Sequence, residues 1–400
     1  MIQRIGVDRP NSRRHSIRTV RAARMAPVVG PQLRGANLEQ TTRSAAIVDV
    51  VRRKRRHAIV LGELLRRVFA AFAPVDSTSC SVNPITDSTP LAVLTDDADE
   101  SRYPRVLVSV LNYQSVDDSV IAIRSLQKQD YPNFRLQLLD NASPGDCVAR
   151  IRAQVSDVDI RVMPENLGYC GGNNYVLRQA LTQGFDYVVV CNQDIEVSTD
   201  AVRRLVETAE SHSDAGVVGA VELCHFTNTV RAARGSGFSL WTGRSIWSDD
   251  VPAGETLLRA DYVQGAMVLF TRRALEAGVF MNEDLFMYGD EADLGFRLAR
   301  AGLEAYVDTR VVVRHKNRDK YFNLRAGYLH QRNRVYLVHR YGRWYHRIGF
   351  HLGVALVELP IKVLLRAMQG RVRFAWACVL GYADGVSGRM GAARATSLRS

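Results

Sequence analysis

The chain has 400 residues, and 46% of them are hydrophobic, which is enough to build a large buried core and argues against a disordered protein. The formal net charge of +12 is unevenly distributed: residues 1–57 carry 14 basic and three acidic side chains, residues 321–400 carry 13 and two, and the 263 residues between them carry 26 and 36. A nucleic-acid-binding protein places its basic residues on the folded domain, so this distribution argues against a nucleic-acid partner and favours contact of the basic flanks with an anionic membrane surface.

Residues 1–100 are predicted to form a basic, largely flexible leader. Its charge runs, such as RRHSIRTVRAAR, are also typical of a solvated tail that needs no dedicated partner, which is the alternative to membrane contact. Within the leader, residues 58–73 have apolar side chains at helical spacing and predict a short amphipathic helix. No stretch of the chain reaches the roughly 18 uncharged apolar residues that span a bilayer, so no transmembrane helix is predicted.

Residues 104–320 are predicted to form one α/β domain. The apolar runs RVLVSVLNY, FRLQLLDNAS, DIRVMPEN and DYVVVCNQD are typical of strands, and the segments between them have helical periodicity. Strands that alternate with helical crossovers form a mostly parallel sheet with helices on both faces.

Polar side chains end four successive predicted strands. They are Asn112 with Tyr113, Asp140 with Asn141, the stretch from Asn166 to Asn174, and Asn192 with Asp194. In a parallel sheet ligands bind outside the carboxyl ends of the strands, so these side chains are expected to line one edge. Taken alone, Asp140 is explained equally well as a turn or capping residue, and the turn GYCGGNN has neither the P-loop nor the dinucleotide-binding spacing.

Asp194 and His315 are the candidate metal ligands. Asp194 follows the apolar run VVVC, which places a carboxylate at the sheet edge, where Mg²⁺ or Mn²⁺ could hold two phosphate oxygens. His315 ends the apolar run VDTRVVVRH, and Mn²⁺ accepts an imidazole ligand. The alternatives are an ordinary turn aspartate and a surface histidine.

Asp290, Glu291 and Asp293 are the candidate catalytic residues. They begin the predicted helix of LFMYGDEADLGFRLARAG. Acidic residues at a helix N-terminus are favourable for capping alone, which is the alternative for any one of them. Three carboxylates behind an aromatic run exceed what a cap requires, and a desolvated carboxylate is suited to removing a proton from a hydroxyl.

The order of these segments resembles the family 2 glycosyltransferases with the GT-A fold, and within them the rhamnosyltransferase-like and galactofuranosyltransferase-like branch. The resemblance extends from about Val106 to about Tyr341. It includes, in the family's order, LVSVLNY, LLDNAS, ENLGYCGGNN, CNQD, YVQGAMVLFTRRAL, FMYGDEADLGFRLARAG and RHKN with YLHQRNRVYLVHRY. It implies the fold of a nucleotide-diphospho-sugar transferase.

The resemblance also implies roles for single residues on the donor side. Asp194 matches the last aspartate of the family's DxD metal motif, whose first position is Asn192 here, and His315 corresponds to a metal-ligand histidine. The positions implied for the base and ribose are Asn112, Tyr113 and Asp140, and those of a second nucleotide-side loop are Asn166, Gly168 and Asn174.

On the acceptor side, the family's Glu-Asp base motif appears here in reversed order, as Asp290 and Glu291. Glu291 is assigned as the base by its position, and Asp290 is the alternative by residue type. Asp293 is expected to orient the base and the acceptor.

These observations predict an inverting glycosyltransferase. It would transfer a sugar from a nucleotide-diphosphate donor, with dTDP-rhamnose as the first expectation, to a hydroxyl of a saccharide or lipid-linked acceptor in cell-surface polysaccharide synthesis. Mg²⁺ or Mn²⁺ is the expected cofactor. The alternatives are a nucleotidyltransferase and a sugar- or membrane-binding relative without catalytic activity.

Residues 321–400 are predicted to be a basic, amphipathic helical region. Its apolar runs are interrupted by charged residues, which favours helices that lie at the membrane interface. Homo-oligomerisation through the same helices is the alternative. A lipid-linked acceptor would place the protein in the cytoplasm, at the inner face of the cell membrane.

Overall fold

The computed structural model describes residues 102–316 and 323–392. The predicted leader, residues 1–100 with its helix at 58–73, lies outside these ranges. Within them the first described strand begins at Val106, two residues after the predicted start of the α/β domain.

The strands are β1 (Val106–Asn112), β2 (Phe134–Asp140), β3 (Asp159–Val162), β4 (Tyr187–Asn192), β5 (Ile195–Val197), β6 (Ala215–Cys224), β7 (Val230–Ala232), β8 (Arg234–Ser239), β9 (Arg244–Ser248), β10 (Leu257–Ala260), β11 (Met267–Thr271) and β12 (Glu304–His315). The helices are α1 (Val116–Leu126), α2 (Cys147–Arg152), α3 (Gly168–Thr182), α4 (Ala201–Ser211), α5 (Arg272–Glu276), α6 (Asp290–Arg300), α7 (Leu324–Tyr341), α8 (Trp344–Gly353), α9 (Leu359–Met368) and α10 (Val372–Val386).

One mixed sheet forms the centre of the domain. Its main path has the order β10-β12-β6-β11-β4-β1-β2-β3, with β5 paired to β12 and β7 paired to β6, while β8 and β9 form a separate hairpin. Strands β3, β2, β1 and β4 are mutually parallel, as expected for strands joined by helices. All four carboxyl ends therefore meet at one edge.

The other half of the sheet contains antiparallel strands, although β6 and β12 run parallel to each other, so most strands of the main path share one direction, as expected. Strand β11 runs antiparallel to both of its neighbours, β4 and β6, and β10 runs antiparallel to β12. The chain between β6 and β11 contains strands and turns without a helix, so it returns to the sheet without the helical crossover that a parallel neighbour needs.

Helices cover both faces of the sheet, as the sequence predicts. Helices α1, α2 and α4 pack on one apolar cluster, through side chains such as Ile123, Ile151 and Leu205. Helices α3, α5 and α6 pack on the other, through side chains such as Leu177 and Leu298. The strands are apolar on both faces, so burial of the sheet from two sides is the main source of its stability.

The C-terminal region is helical, which confirms the last part of the fold prediction. Helix α10 packs so closely along α7 that a Cβ on Gly381 would lie 2.1 Å from the carbonyl oxygen of Tyr328. Helices α8 and α9 are joined without a break by a π-helical turn, Val354–Glu358. By length and composition alone, the continuous helix Trp344–Met368 could cross a membrane, which differs from the prediction that no segment could.

Candidate active site

A buried hydrogen bond joins the carboxyl ends of β1 and β2. Nδ2 of Asn112 donates to Oδ1 of Asp140 at 2.5 Å, and the backbone N–H of Ser143 donates to Oδ2 of Asp140 at 2.8 Å. The parallel register places Asn112 directly opposite Asp140, so strand pairing itself produces this contact. Both side chains are fully buried, and the hydrogen bond between them stabilises this edge of the sheet. Their nucleotide contacts stay a prediction.

Tyr113 is half-buried and bonds to the end of β4. Its backbone N–H donates to Oε1 of Gln193 at 2.5 Å, and Nε2 of Gln193 donates back to the Tyr113 carbonyl at 3.3 Å. This reciprocal pair ties the ends of two neighbouring strands together. It leaves the Tyr113 side chain at the edge where the sequence predicts the nucleotide.

The glycine-rich turn is held by side-chain amides. Asn141 donates to the Gly168 carbonyl at 2.9 Å and accepts from the Leu167 N–H at 2.9 Å, and Asn166 accepts from the Gly168 N–H at 2.8 Å. Gly168 has φ +74°, and a Cβ there would lie 2.5 Å from the carbonyl oxygen of Phe286. Only glycine fits this position, which brings the turn against the segment that leads into α6.

The two asparagines of GYCGGNN differ in their surroundings. Asn174 is fully buried, donates to the carbonyl of Met281 at 2.8 Å and accepts from its N–H at 3.0 Å. The structure therefore places Asn174 as a buried tether between α3 and the loop that follows α5, away from the exposed edge where a donor contact was expected. Asn173, also buried, has no hydrogen-bond partner among the described residues for either side-chain polar atom.

Asp194 and His315 meet at the end of β4. Oδ1 of Asp194 lies 3.0 Å from Nε2 of His315, and Nδ1 of His315 lies 3.0 Å from Oε1 of Glu222. Burial opposes the charge on His315, but the hydrogen bonds and charges of the two carboxylates raise its pKa to about 9. Burial also opposes ionisation of Asp194, but His315 holds the pKa of Asp194 below its usual value. The two carboxylates thus favour the protonated form of His315, and its Nε2 would have to lose its proton to bind a metal.

A divalent cation would find an incomplete ligand set here. Among residues 102–316 and 323–392, no group of three His, Cys, Asp or Glu side chains is arranged to hold a metal ion. Asp194 and His315 supply one carboxylate and one imidazole, and Nδ2 of Asn192 lies 3.4 Å from the imidazole Nε2. This set fits a cation only if oxygens of a bound diphosphate complete its coordination, as is usual for Mg²⁺.

Asp290 and Glu291 occupy the first turn of α6. Burial raises the pKa of both, and the charge of Asp290 raises that of Glu291 further, with a smaller contribution from Glu222. Glu291 is half-buried and Asp290 is buried, so Glu291 is the more accessible of the two. A carboxylate with a raised pKa is a stronger base, as proton abstraction requires.

The segment with Asp194 and the segment with Asp290 and Glu291 lie at the same edge of the sheet. The Asn192 N–H donates to the Ala266 carbonyl at 2.9 Å, and a Cβ on the neighbouring Gly265 would lie 3.6 Å from Oε1 of Glu291. The hydroxyl of Tyr169 donates to the Gly265 carbonyl at 2.6 Å. The turn at Gly265 therefore connects the end of β4 with the start of α6.

Asp293, which was expected to orient the base and the acceptor, lies in the interior of the protein. It is fully buried, pairs with Arg297, and accepts from the hydroxyl of Tyr341 at 2.7 Å. Because Asp293 has no exposed surface in this structure, a direct contact with the acceptor stays a prediction. Asp293 instead ties α6 to the end of α7.

Sequence reasoning missed Glu222, Gln193 and the pair Arg332 and Asn333. Glu222 is the last residue of the buried run of β6 and comes directly after apolar residues, so the signal that identified Asp194 could also have identified Glu222. Gln193 lies between two residues that the sequence singled out. The Arg332 and Asn333 pair belongs to a helix whose sequence carries no sign of which loop it contacts.

Residues 107–277 match the family model described as Glycosyl transferase family 2. Over this segment the chain is similar to the family 2 glycosyltransferases. The matched segment begins in β1 and ends after α5, so it contains the donor-side residues through Asn192 and Asp194. The α6 carboxylates, His315 and the C-terminal helices follow this segment in the chain.

Among curated relatives, the chain is similar to the low-salt glycan biosynthesis hexosyltransferase Agl10 of Haloferax volcanii, with 23% identity over 199 residues, 49% of this chain and 62% of the relative. It thus spans less than two thirds of that relative's length. The chain is also partly similar to two solved structures. The mannosyltransferase PcManGT from Pyrobaculum calidifontis, in complex with GDP-Man and Mn²⁺, is 16% identical with a TM-score of 0.45, and the likeness covers 75% of this chain and 79% of that one. GalNAc-T7 with UDP, GalNAc and Mn²⁺ is 12% identical with a TM-score of 0.45, and the likeness covers 54% of this chain and 43% of that one.

Proposed function

We propose that the glycosyltransferase domain moves a sugar from a nucleotide-diphosphate donor to an acceptor hydroxyl, with inversion at the anomeric carbon. The observation that carries the proposal is the position of Glu291: a carboxylate of raised pKa, beside the small-residue turn at Gly265, on the same sheet edge as Asp194. The family match and the likeness to a hexosyltransferase support it.

On the acceptor side, Glu291 accepts the proton of the hydroxyl as its oxygen attacks the anomeric carbon. The bond from this carbon to the diphosphate oxygen breaks in the same step, so the stereocentre inverts once. Burial and the charge of Asp290 raise the proton affinity of Glu291. Gly265 leaves space next to this carboxylate, because a larger side chain would crowd the Tyr169 hydroxyl and occupy the space in contact with Glu291.

On the donor side, Tyr113, Asn166 and the glycine-rich turn form the edge that faces the nucleotide. Asp194, with His315 and Asn192, would hold Mg²⁺ or Mn²⁺ together with the diphosphate, and the cation would neutralise charge on the leaving group. The buried Asn112 and Asp140 keep the edge rigid. Rigid placement of the donor is what makes attack from the opposite face efficient.

The first candidate donor is dTDP-rhamnose, which rests on the sequence resemblance. Donors of other hexoses are the competing candidates, because the curated relative is named only as a hexosyltransferase, a class that includes rhamnosyl transfer. Calorimetric binding of dTDP-, UDP- and GDP-sugars in the presence of Mn²⁺, followed by turnover assays, separates them. If no member of this panel binds, the donor assignment is wrong. If one binds but is never turned over, the chain is a binding relative without catalysis.

We further propose that the region α9–α10 contacts an anionic membrane surface. Apolar side chains there are exposed: Leu364 by 62%, Met368 by 77% and Trp376 by 60%. The sequence contains four basic residues and no acidic one between Glu358 and Asp384. Exposed apolar groups mixed with basic ones fit a lipid interface, which would place the protein at the inner face of the cell membrane near a lipid-linked acceptor.

Sedimentation with vesicles tests this surface. The protein is expected to bind vesicles of phosphatidylglycerol and phosphatidylcholine more strongly than phosphatidylcholine alone, and the double change Leu364→Glu with Trp376→Glu is expected to abolish binding. Val162→Glu, at an exposed apolar position on β3, is the matched control. Concentration-dependent self-association without vesicle binding would assign the surface to a second copy. Resistance to alkaline extraction from cell membranes would assign Trp344–Met368 as a span.

A further inference from the structure

The loop that leads into α6 has a backbone that side chains rarely adopt. Phe286 has φ +65°, Tyr288 has φ +71° and Gly289 has φ +80°. For a residue other than glycine each such conformation costs on the order of 1–3 kcal/mol, and it persists only where surrounding contacts impose it. Asp290 and Glu291 follow directly, so the direction in which these carboxylates point depends on whatever holds residues 284–289.

Two adjacent side chains of α7 make those contacts. Nδ2 of Asn333 lies within hydrogen-bond distance of three carbonyl oxygens of the loop, those of Leu285 (3.0 Å), Met287 (2.9 Å) and Tyr288 (2.8 Å). Nη2 of Arg332 donates to the carbonyls of Asp284 (3.0 Å) and Leu285 (2.9 Å). Between them, these two side chains contact every loop carbonyl from Asp284 to Tyr288 except that of Phe286.

The remaining carbonyl, that of Phe286, is hydrogen-bonded by the glycine-rich turn instead. The Phe286 carbonyl accepts from the Cys170 N–H at 3.1 Å, in the first turn of α3. The loop is therefore held on one side by helix α7 and on the other by the glycine-rich turn. The position of the loop depends on both.

Arg332 and Asn333 are also held rigidly themselves. They are 1% and 2% exposed, and Nε of Arg332 donates to Oδ1 of Asn333 at 3.0 Å, which orients the amide so that its NH₂ group faces the loop. The remaining Arg332 nitrogen, Nη1, donates to the Gly391 carbonyl at 2.6 Å. Burying a guanidinium that lies over the Tyr328 ring and hydrogen-bonds mainly to carbonyl oxygens and an amide is expensive, so its place beneath this loop calls for a reason beyond packing.

We propose that Arg332 and Asn333 are positioning residues, which impose the positive-φ backbone of Phe286 and Tyr288 and thereby aim Glu291 into the cleft. The inference rests on the proposed role of Glu291 as base. It makes α7 part of the catalytic unit, although the helix lies outside the segment that matches the family model. Variants of this pair should therefore lower turnover much more than donor binding.

Asn333→Asp is the decisive variant, because it preserves the shape and the acceptor for Arg332 but removes the NH₂ donor. Hydrogen exchange of the amides of residues 285–291 is expected to be at least about 10-fold faster, while that of β1 and β4 is unchanged. We expect kcat to fall about 10- to 100-fold, while the Kd for Mn²⁺ with UDP, GDP or dTDP, whichever binds the wild type, changes less than about 2-fold.

Gln331→Glu is the matched control. It makes the same amide-to-carboxylate change on an equally buried side chain of α7, whose amide faces Glu358 instead of the loop. It should leave both the exchange of residues 285–291 and the ratio of kcat to donor affinity as in the wild type. If Asn333→Asp does not fold, Arg332→Lys replaces it, since this change preserves the charge but loses the donors to Asp284 and Leu285.

Failure of this inference is distinguishable from failure of the proposed base. Unchanged exchange in Asn333→Asp, or faster exchange with unchanged kcat, overturns the positioning role whatever Glu291 does. Wild-type turnover in Glu291→Gln overturns the base assignment, and the exchange measurement still decides whether the α7 pair holds the loop.

Discussion

Oδ1 of Asp194 lies 3.0 Å from Nε2 of His315, although 121 positions separate the two residues in the chain. The contact exists because β5, which follows Asp194, pairs antiparallel with the end of β12, which carries His315. A small strand of three residues thus brings together the two groups that the sequence predicted as metal ligands.

Asp194→Ala is expected to abolish any dependence of donor binding on Mn²⁺ and to lower kcat by about 100-fold or more, because the carboxylate is the one anionic ligand of the predicted site. Calorimetric titration of the nucleotide with and without Mn²⁺ checks the first effect. Asp157→Asn, in the loop before β3 at the opposite edge of the sheet, is the control. Equal Mn²⁺ dependence in Asp194→Ala and wild type would rule out this metal site.

Glu291→Gln and Asp290→Asn decide which of the two carboxylates is the base. We expect Glu291→Gln to lower kcat by about 10²- to 10⁴-fold with donor affinity preserved, because it removes proton abstraction while leaving the shape intact. Asp290→Asn should have a much smaller effect, since Asp290 is buried and acts on Glu291 through its charge. The reverse ranking in single-turnover assays would assign the base to Asp290.

The raised pKa of Glu291 predicts the pH dependence of turnover. Activity should increase as the pH rises through this raised pKa, because only the carboxylate form accepts a proton. Asp290→Asn removes a like charge, so the rising limb of the pH–rate profile should move to lower pH. A limb that stays in place, or that moves to higher pH, would show that Asp290 does not act on Glu291 electrostatically.

The raised pKa of Glu291 also predicts how the stability of the folded protein depends on pH. The folded state holds the Glu291 proton more tightly than the unfolded state, so this group's contribution is fully present at pH values below the unfolded pKa and is lost as the pH rises through the folded one. Glu291→Gln should therefore flatten the decline of the melting temperature between mildly acidic and mildly basic pH. Parallel melting curves for wild type and variant across this window would contradict the shift.

Gly265→Ala tests the space beside the proposed base. Its φ is not in the left-handed region, so the backbone tolerates alanine, but the new Cβ would lie 3.0 Å from the Tyr169 hydroxyl and 3.6 Å from Glu291. We expect kcat/KM for the acceptor to fall about 10-fold or more, with little change in the free energy of unfolding. Gly353→Ala is the control, since a Cβ there meets no atom within 4 Å. Comparable activity of the two variants would show that this space is not used.

The local pattern of the sequence determined a large part of this protein. Apolar runs that alternate with helical periodicity predicted the parallel strands from β1 to β4, and the polar residues after those runs predicted the edge that holds Tyr113, Asn192 and Asp194. Such predictions succeed because the carboxyl ends of parallel strands must meet at one edge whatever their sequence separation. Asp290, Glu291 and Asp293 were found because they begin a segment whose apolar residues have clear helical spacing.

Only the tertiary structure decided which of these polar groups are accessible. Asn174 and Asp293 are fully buried and bonded within the protein, whereas Glu222 joins His315 from a strand that sequence reasoning passed over. The antiparallel course of β11, and the Arg332 and Asn333 contacts with the loop before α6, likewise depend on partners dozens of residues or more away. Periodicity along a chain reports which face of an element is apolar, but the identity of a distant partner is set by how whole elements pack, and that information is not local.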